Sequence, residues 1–107
     1  MKVFLKGDAK DTYLELKGHH DKVSKSILSA LERIKNRLKE NPQLGNPIPR
    51  RLFPEEFVKD GVQNLYRVQL PGYWRLIYTI NGNKIEILVF VLFIGNHKKY
   101  DSLFGYK

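Results

Sequence analysis

Residues 64–107 read NLYRVQLPGYWRLIYTINGNKIEILVFVLFIGNHKKYDSLFGYK, and the way this stretch pairs with itself decides the fold. Side chains two apart share a face of a strand, so a slip of one residue in the pairing turns every one of them over. Tyr66, Val68 and Leu70 form one apolar face; after the Pro71-Gly72 turn signal, Trp74, Leu76, Tyr78 and Ile80 form another. Both must look into the same core. A two-residue loop would pair Leu70 with Tyr73 and oppose the two faces, whereas a three-residue loop of Pro71, Gly72 and Tyr73 pairs Leu70 with Trp74 and aligns them. The three-residue loop is therefore predicted. With it, Arg67, Gln69 and Arg75 stand together on the opposite face, which is an anion-binding surface in outline.

A third strand, Ile85 to Ile94, follows the Asn81-Gly82-Asn83 turn and is apolar on both faces, as befits a strand in the middle of a sheet. Alternation cannot orient it. It runs into a basic loop, Asn96-His97-Lys98-Lys99-Tyr100-Asp101, where a rigid strand end can hold reactive side chains accurately.

Size and charge narrow the rest. A chain of 107 residues with 42% hydrophobic and 28% charged residues suits one globular domain, 1–107, with a modest core. It has no cysteine, which removes disulfides, thiolate metal sites and thiol nucleophiles. The longest apolar run, Ile87 to Ile94, is too short to span a bilayer, and MKVFLKGD lacks the apolar core of a signal peptide, so a cytoplasmic protein without membrane contact is expected. A net charge of +8, from 19 Lys and Arg against 11 Asp and Glu, favours a polyanion or an acidic protein as partner.

Taken from its start, the chain opens with a short strand, Met1 to Lys6. Asp8 is the expected cap of a helix from about Ala9 to Lys17, ended by Gly18. Asp21 starts a longer helix to about Glu40, with Val23, Ile27, Ala30, Leu31, Ile34 and Leu38 as its apolar stripe. Lys22, Lys25, Arg33, Lys35, Arg37 and Lys39 fall mostly off that stripe, on a face open either to water or to a nucleic-acid groove. ENPQLGNPIPRR (residues 40–51) breaks the helical half from the sheet half, and LFPEEFVKDGVQ is read as irregular or a short helical turn after Pro54. The fold expected is α+β, in the order β-α-α-β-β-β: a two-helix hairpin packed on one side of a four-stranded, mainly antiparallel sheet, with the first strand beside the last.

Tyr66-Arg67-Val68, then Gly72-Tyr73-Trp74-Arg75-Leu76-Ile77-Tyr78, then an apolar strand ending Gly95-Asn96-His97 and Leu103-Phe104-Gly105, together resemble the RelE/ParE superfamily of toxins from toxin-antitoxin systems. The opening strand, the helical hairpin and the Asn41-Pro42 loop are similar too. The resemblance implies a ribosome-dependent mRNA endonuclease that cuts without a metal or other cofactor. In such a reaction a ribose 2′-hydroxyl attacks its adjacent phosphate, leaving a 2′,3′-cyclic phosphate and a free 5′-hydroxyl. The chemistry asks for a base, an acid and cations on the phosphate.

On that footing His97 is the candidate acid or base, since an imidazole titrates near working pH. Arg75 matches the arginine of the family's motif and would grip the scissile phosphate; Arg67 matches a position where relatives carry Lys or Arg. Gln69 departs from the pattern where some relatives have a second Lys, which leaves the base open. Tyr100, Asp101 and Phe104 are candidates for proton transfer or for stacking on a splayed base, and Arg50, Arg51, Lys98 and Lys99 for holding the RNA backbone. His19 and His20 have no third ligand at metal-binding spacing. The partners implied are mRNA on the ribosome and a cognate antitoxin, with the chain a monomer or part of a toxin-antitoxin hetero-oligomer. The alternative readings are a non-catalytic ParE-like gyrase inhibitor and an inactive RNA- or ribosome-binding domain.

Overall fold

The computed structural model describes residues 2–82 and 87–105, with 87–93 described by backbone alone. Strands β3 (Tyr66–Gln69) and β4 (Arg75–Gly82) pair antiparallel, with Tyr66 opposite Tyr78, Val68 opposite Leu76 and Gln69 opposite Arg75. The Leu70 N–H donates to the Trp74 carbonyl at 2.8 Å, so the loop is the three-residue one that parity demands. Gly72 (φ 67°) and Tyr73 (φ 63°) both take left-handed backbone there, a conformation free to glycine and uncommon for tyrosine.

β5 (Ile87–Gly95) lies antiparallel on β4 and takes β1 (Lys2–Leu5) in parallel on its other side, with Val3 opposite Val89. The first strand thus sits beside the last, as expected. The predicted start of that last strand at Ile85, and the Asn83 end of the turn before it, lie outside the described residues, as do the side chains that gave it two apolar faces. One irregularity marks the ladder: Ile77 faces Phe93 and Tyr78 faces Val91, which leaves Leu92 as an extra, bulged residue.

The sheet order is β1-β5-β4-β3-β2, and β2 (Asn46–Pro47) is a two-residue strand inside the segment expected only to be a break. It pairs with Arg67 and Tyr66 at the sheet's edge, where a proline gives up no inner ladder bond. What holds this loop down is Tyr78. Its hydroxyl accepts the Gly45 N–H at 2.8 Å and donates to the Pro42 carbonyl at 2.7 Å, while its ring stacks on Tyr66 at 5.2 Å. Gly45 permits the approach, because a Cβ there would stand 2.9 Å from the Tyr78 ring and 3.0 Å from the Arg67 carbonyl.

Helix α1 (Gly7–Lys17) begins before the expected cap: Gly7, at φ 48°, turns the chain out of β1, and Asp8 sits inside the first turn. Helix α2 (Lys22–Glu40) is capped by Asp21, whose carboxylate accepts the Ser24 N–H at 3.1 Å and the Ser24 hydroxyl at 2.8 Å. Those bonds hold its pKa below the usual carboxylate value. Ile27, Ala30, Leu31, Ile34 and Leu38 are buried against Leu70, Leu76, Tyr78 and Ile94. Val23 is exposed instead, because the buried stripe at that end has shifted round to Ser24.

Two expectations about the rest are corrected. The tail is helix α4 (His97–Phe104), not a loop: the Asn96 side chain accepts the Lys99 N–H at 2.9 Å, and Gly105 (φ 75°) closes it in left-handed backbone. Nor are helices confined to one side. Short helix α3 (Glu55–Lys59) and α4 cover part of the other face, where Phe57, Leu65, Ile77 and Tyr100 form a second buried cluster flanked by Ile48, Phe53, Val62, Leu103 and Phe104. Ile77 is what makes this cluster: its parity puts it on the arginine face, and it is fully buried there. Among the described residues no helix is long and apolar enough to cross a membrane.

Removing the Tyr78 hydroxyl should strand two loop polar groups. Tyr78→Phe is expected to cost about 1–3 kcal/mol in urea unfolding without changing the fold. Burial pushes the Tyr78 phenol pKa above its ordinary value of 10.0, against the smaller opposing effect of the Gly45 N–H. A raised folded value means stability that is whole below pH 10 and lost as pH climbs from there through the raised value. The share of alkaline destabilisation due to Tyr78 should vanish in the Phe variant, which a pH series of melting temperatures would measure.

Candidate functional site

Hairpin parity places Arg67, Gln69, Arg75 and Ile77 on one face, and α4 crosses that face. The residue that organises it is Tyr100. Its ring is buried, with only 5% of its surface exposed, and is packed 4.6 Å from Phe104. Arg67 Nη1 donates to the Tyr100 hydroxyl at 3.2 Å, and the Arg75 guanidinium carbon stands 5.8 Å from the centre of the same ring. One phenol therefore holds two half-buried guanidiniums, one by its oxygen and one by its π face. Arg75 also donates to the Trp74 carbonyl at 3.3 Å, which uses part of its fork and leaves the remaining N–H groups for a ligand.

His97 is the first residue of α4 and is exposed, and its ring meets Tyr73 edge-on at 6.1 Å. The backbone brings it close to Arg75: Arg75 lies opposite Gly95, two residues before His97. Lys98 and Lys99 follow in the first turn, both exposed. Cations at the positive end of a helix work against the helix, so helix stability does not account for this basic cluster.

The other candidates separate. Arg50 donates to the Gln63 carbonyl at 3.0 Å, beyond the start of β3, whereas Arg75 pairs at its other end; Arg51 is its exposed neighbour. Neither is placed with the Arg75–His97 cluster by these contacts. Phe104 is half-buried against Tyr100 rather than standing out from the surface, and Asp101 is half-buried. Among the described residues no three His, Cys, Asp or Glu side chains are grouped to hold a metal ion.

The sequence from residue 5 to residue 99 matches the family described as ParE toxin of type II toxin-antitoxin system, parDE. This chain belongs to the ParE toxin family. The fold agrees with that of a YoeB/ParE toxin from Agrobacterium tumefaciens, at a TM-score of 0.66 and 14% identity over 91% of this chain and 99% of that one. No protein of curated function matches by sequence. As a ParE-family toxin of a type II system, the chain has an antitoxin as its partner.

Two residues of this ParE-family site escaped the sequence reading. Asn96 and Gly105 bracket α4 with a cap and a left-handed stop, a readable helix signature, and the tail between them has Tyr100, Leu103 and Phe104 at helical spacing. Reading it as a loop hid the fact that Tyr100 turns inward. The placing predicts a graded response: Tyr100→Phe should lose about 0.5–1.5 kcal/mol for one hydrogen bond, whereas Tyr100→Ala, which empties the cluster, should lose about 3–5 kcal/mol in chemical unfolding.

Proposed function

We propose that this toxin cleaves RNA at the face where Arg67, Arg75 and His97 meet. The observation that carries the reading is the shared phenol: Tyr100 fixes two guanidiniums on one side of the sheet, next to an exposed imidazole. Two guanidiniums held beside each other invite a phosphate. In the reaction proposed, the 2′-oxygen of a ribose forms a bond to the adjacent phosphorus, and the bond from phosphorus to the 5′-oxygen of the next nucleotide breaks. His97 takes the 2′ proton, a role that Gln69 opposite Arg75 cannot fill. The departing 5′-oxygen is protonated by water. Arg75 and Arg67 stabilise the negative charge that builds on the phosphate, and Tyr100 is a positioning residue that transfers no proton. Lys98 and Lys99 draw the strand in, and the message on the ribosome is the substrate.

The second reading is a non-catalytic inhibitor of the ParE kind that binds gyrase. The family match favours it.

Mapping of mRNA 5′ ends after induction separates the two. The parent should generate new ends on translated messages, His97→Ala should lower cleavage by about 10²–10⁴ and Arg75→Ala by about 10²–10³, with Arg75→Lys recovering only part. Growth arrest with no new ends would remove the nuclease and leave the inhibitor. Cleavage undiminished in both variants would move the chemistry to another face.

A further inference from the structure

β2 covers β3 only at Tyr66 and Arg67, so among the described residues the outer edge of β3 at Val68 and Gln69 has no strand on it. Beside that bare edge lies a groove of about 330 Å³, lined by Arg33 and Arg37 of α2 on one side and by Gly45, Asn46, Arg67 and Gln69 on the other. Arg33 and Arg37 are one helical turn apart and exposed, and neither forms an ion pair among the described residues. Two like charges at this spacing weaken a helix slightly, so the helix gains nothing from them. Asn46 and Gln69, both exposed, line the same groove.

Arg67 joins this groove to the site already described. It lines the groove and, through its guanidinium, bonds the Tyr100 hydroxyl under Arg75. Gln69 does the same from the strand's end, lining the groove while paired opposite Arg75. The two basic surfaces are therefore one track, folded over the uncovered end of β3.

We propose that the Arg33–Arg37 groove binds the phosphodiester backbone of the same single-stranded RNA whose scissile phosphate lies at Arg75, and that the strand passes over the free edge of β3. The inference rests on the nuclease reading for the identity of the strand, and on the groove alone for the binding of phosphates. Each arginine neutralises one phosphate, and Asn46 and Gln69 orient the backbone without reading bases. The consequence is a substrate that needs several nucleotides on one side of the cut.

The test uses purified toxin and a fluorescein-labelled 12-nucleotide 2′-O-methyl RNA, which has no free 2′-hydroxyl and is not cut. Binding is followed by anisotropy across a salt series. Arg33→Ala and Arg37→Ala should each weaken binding several-fold at low salt and reduce the slope of log affinity against log salt by about 0.7, with the double variant losing about twice that. Arg33→Lys and Arg37→Lys should keep the slope. Both side chains are exposed, so melting temperatures should stay at the parent's value; variants that bind weakly because they are unfolded would be recognised there. Unchanged oligonucleotide affinity and slope in the double alanine variant would overturn the proposal. So would unchanged oligonucleotide binding together with weakened binding to message-free small ribosomal subunits, since the groove would then hold ribosomal RNA. Failure of the nuclease reading is visible separately: a parent that binds the oligonucleotide through Arg33 and Arg37 but yields no new 5′ ends keeps the groove and loses the reaction.

Discussion

The contact on which the rest of this structure depends is the bond from the Leu70 N–H to the Trp74 carbonyl, 2.8 Å long, which closes a three-residue turn. Period-two alternation converts that one bond into the side assignment of every residue in β3 and β4. Leu76 and Tyr78 go to the helical hairpin, and Arg67, Arg75 and Ile77 go to the other face. A turn shorter by one residue would oppose the two strands' faces, turning Arg75 under α2 and exposing Leu76 and Tyr78, at a desolvation cost that no local gain offsets. The turn itself is bought with backbone strain at Tyr73, whose φ of 63° puts it in a region few non-glycine residues occupy. That strain falls on the residue whose ring meets His97, so the same three residues set the register and furnish one wall of the site.

The sheet is consequently two-sided, and its two cores do different work. On one side α1 and α2 bury the larger apolar cluster, which accounts for most of the burial. On the other, a smaller cluster around Ile77 and Tyr100 gives α4 a seat. Tyr78 links loop to core, since a fully buried ring carries a hydroxyl that reaches the 42–45 segment. That anchoring fixes Gly45 and Asn46 against the β3 edge, and so shapes the groove opposite α2.

How much of this was legible in the sequence divides along physical lines. Alternation in 66–80 and the 3.6-residue spacing in α2 report burial directly, which is why the hairpin register, the helical hairpin and the strand neighbours could be read from residue order. The resemblance to RelE/ParE toxins added the family, which the match over residues 5–99 supports. Short elements were less readable. β2 exists because Asn46 and Pro47 happen to meet an edge, and α3 because Phe57 has a cluster to enter; neither is long enough to show a period. The tail was misread for a different reason. Its lysines and histidine read as chemistry, whereas its helical character lies in the cap at Asn96 and the stop at Gly105. Once the tail is a helix, Tyr100 is carried into the cluster with Ile77 and Phe57, while His97, at the helix's first position, stays in water.

That division of labour within one helix bears on how the two arginines are held together. Arg67 and Arg75 stand on neighbouring strands, and their mutual repulsion would favour swinging both side chains out to solvent. Tyr100 opposes this twice over: its oxygen takes a hydrogen bond from Arg67, and its electron-rich ring faces the charge of Arg75. Phe104 packs against the ring at 4.6 Å, and the ring is buried. The guanidiniums thereby lose rotamer freedom during folding rather than at the moment of any binding, which is the preorganisation that the nuclease reading proposed above would draw on. His97, one turn away, is exposed and meets the Tyr73 ring edge-on.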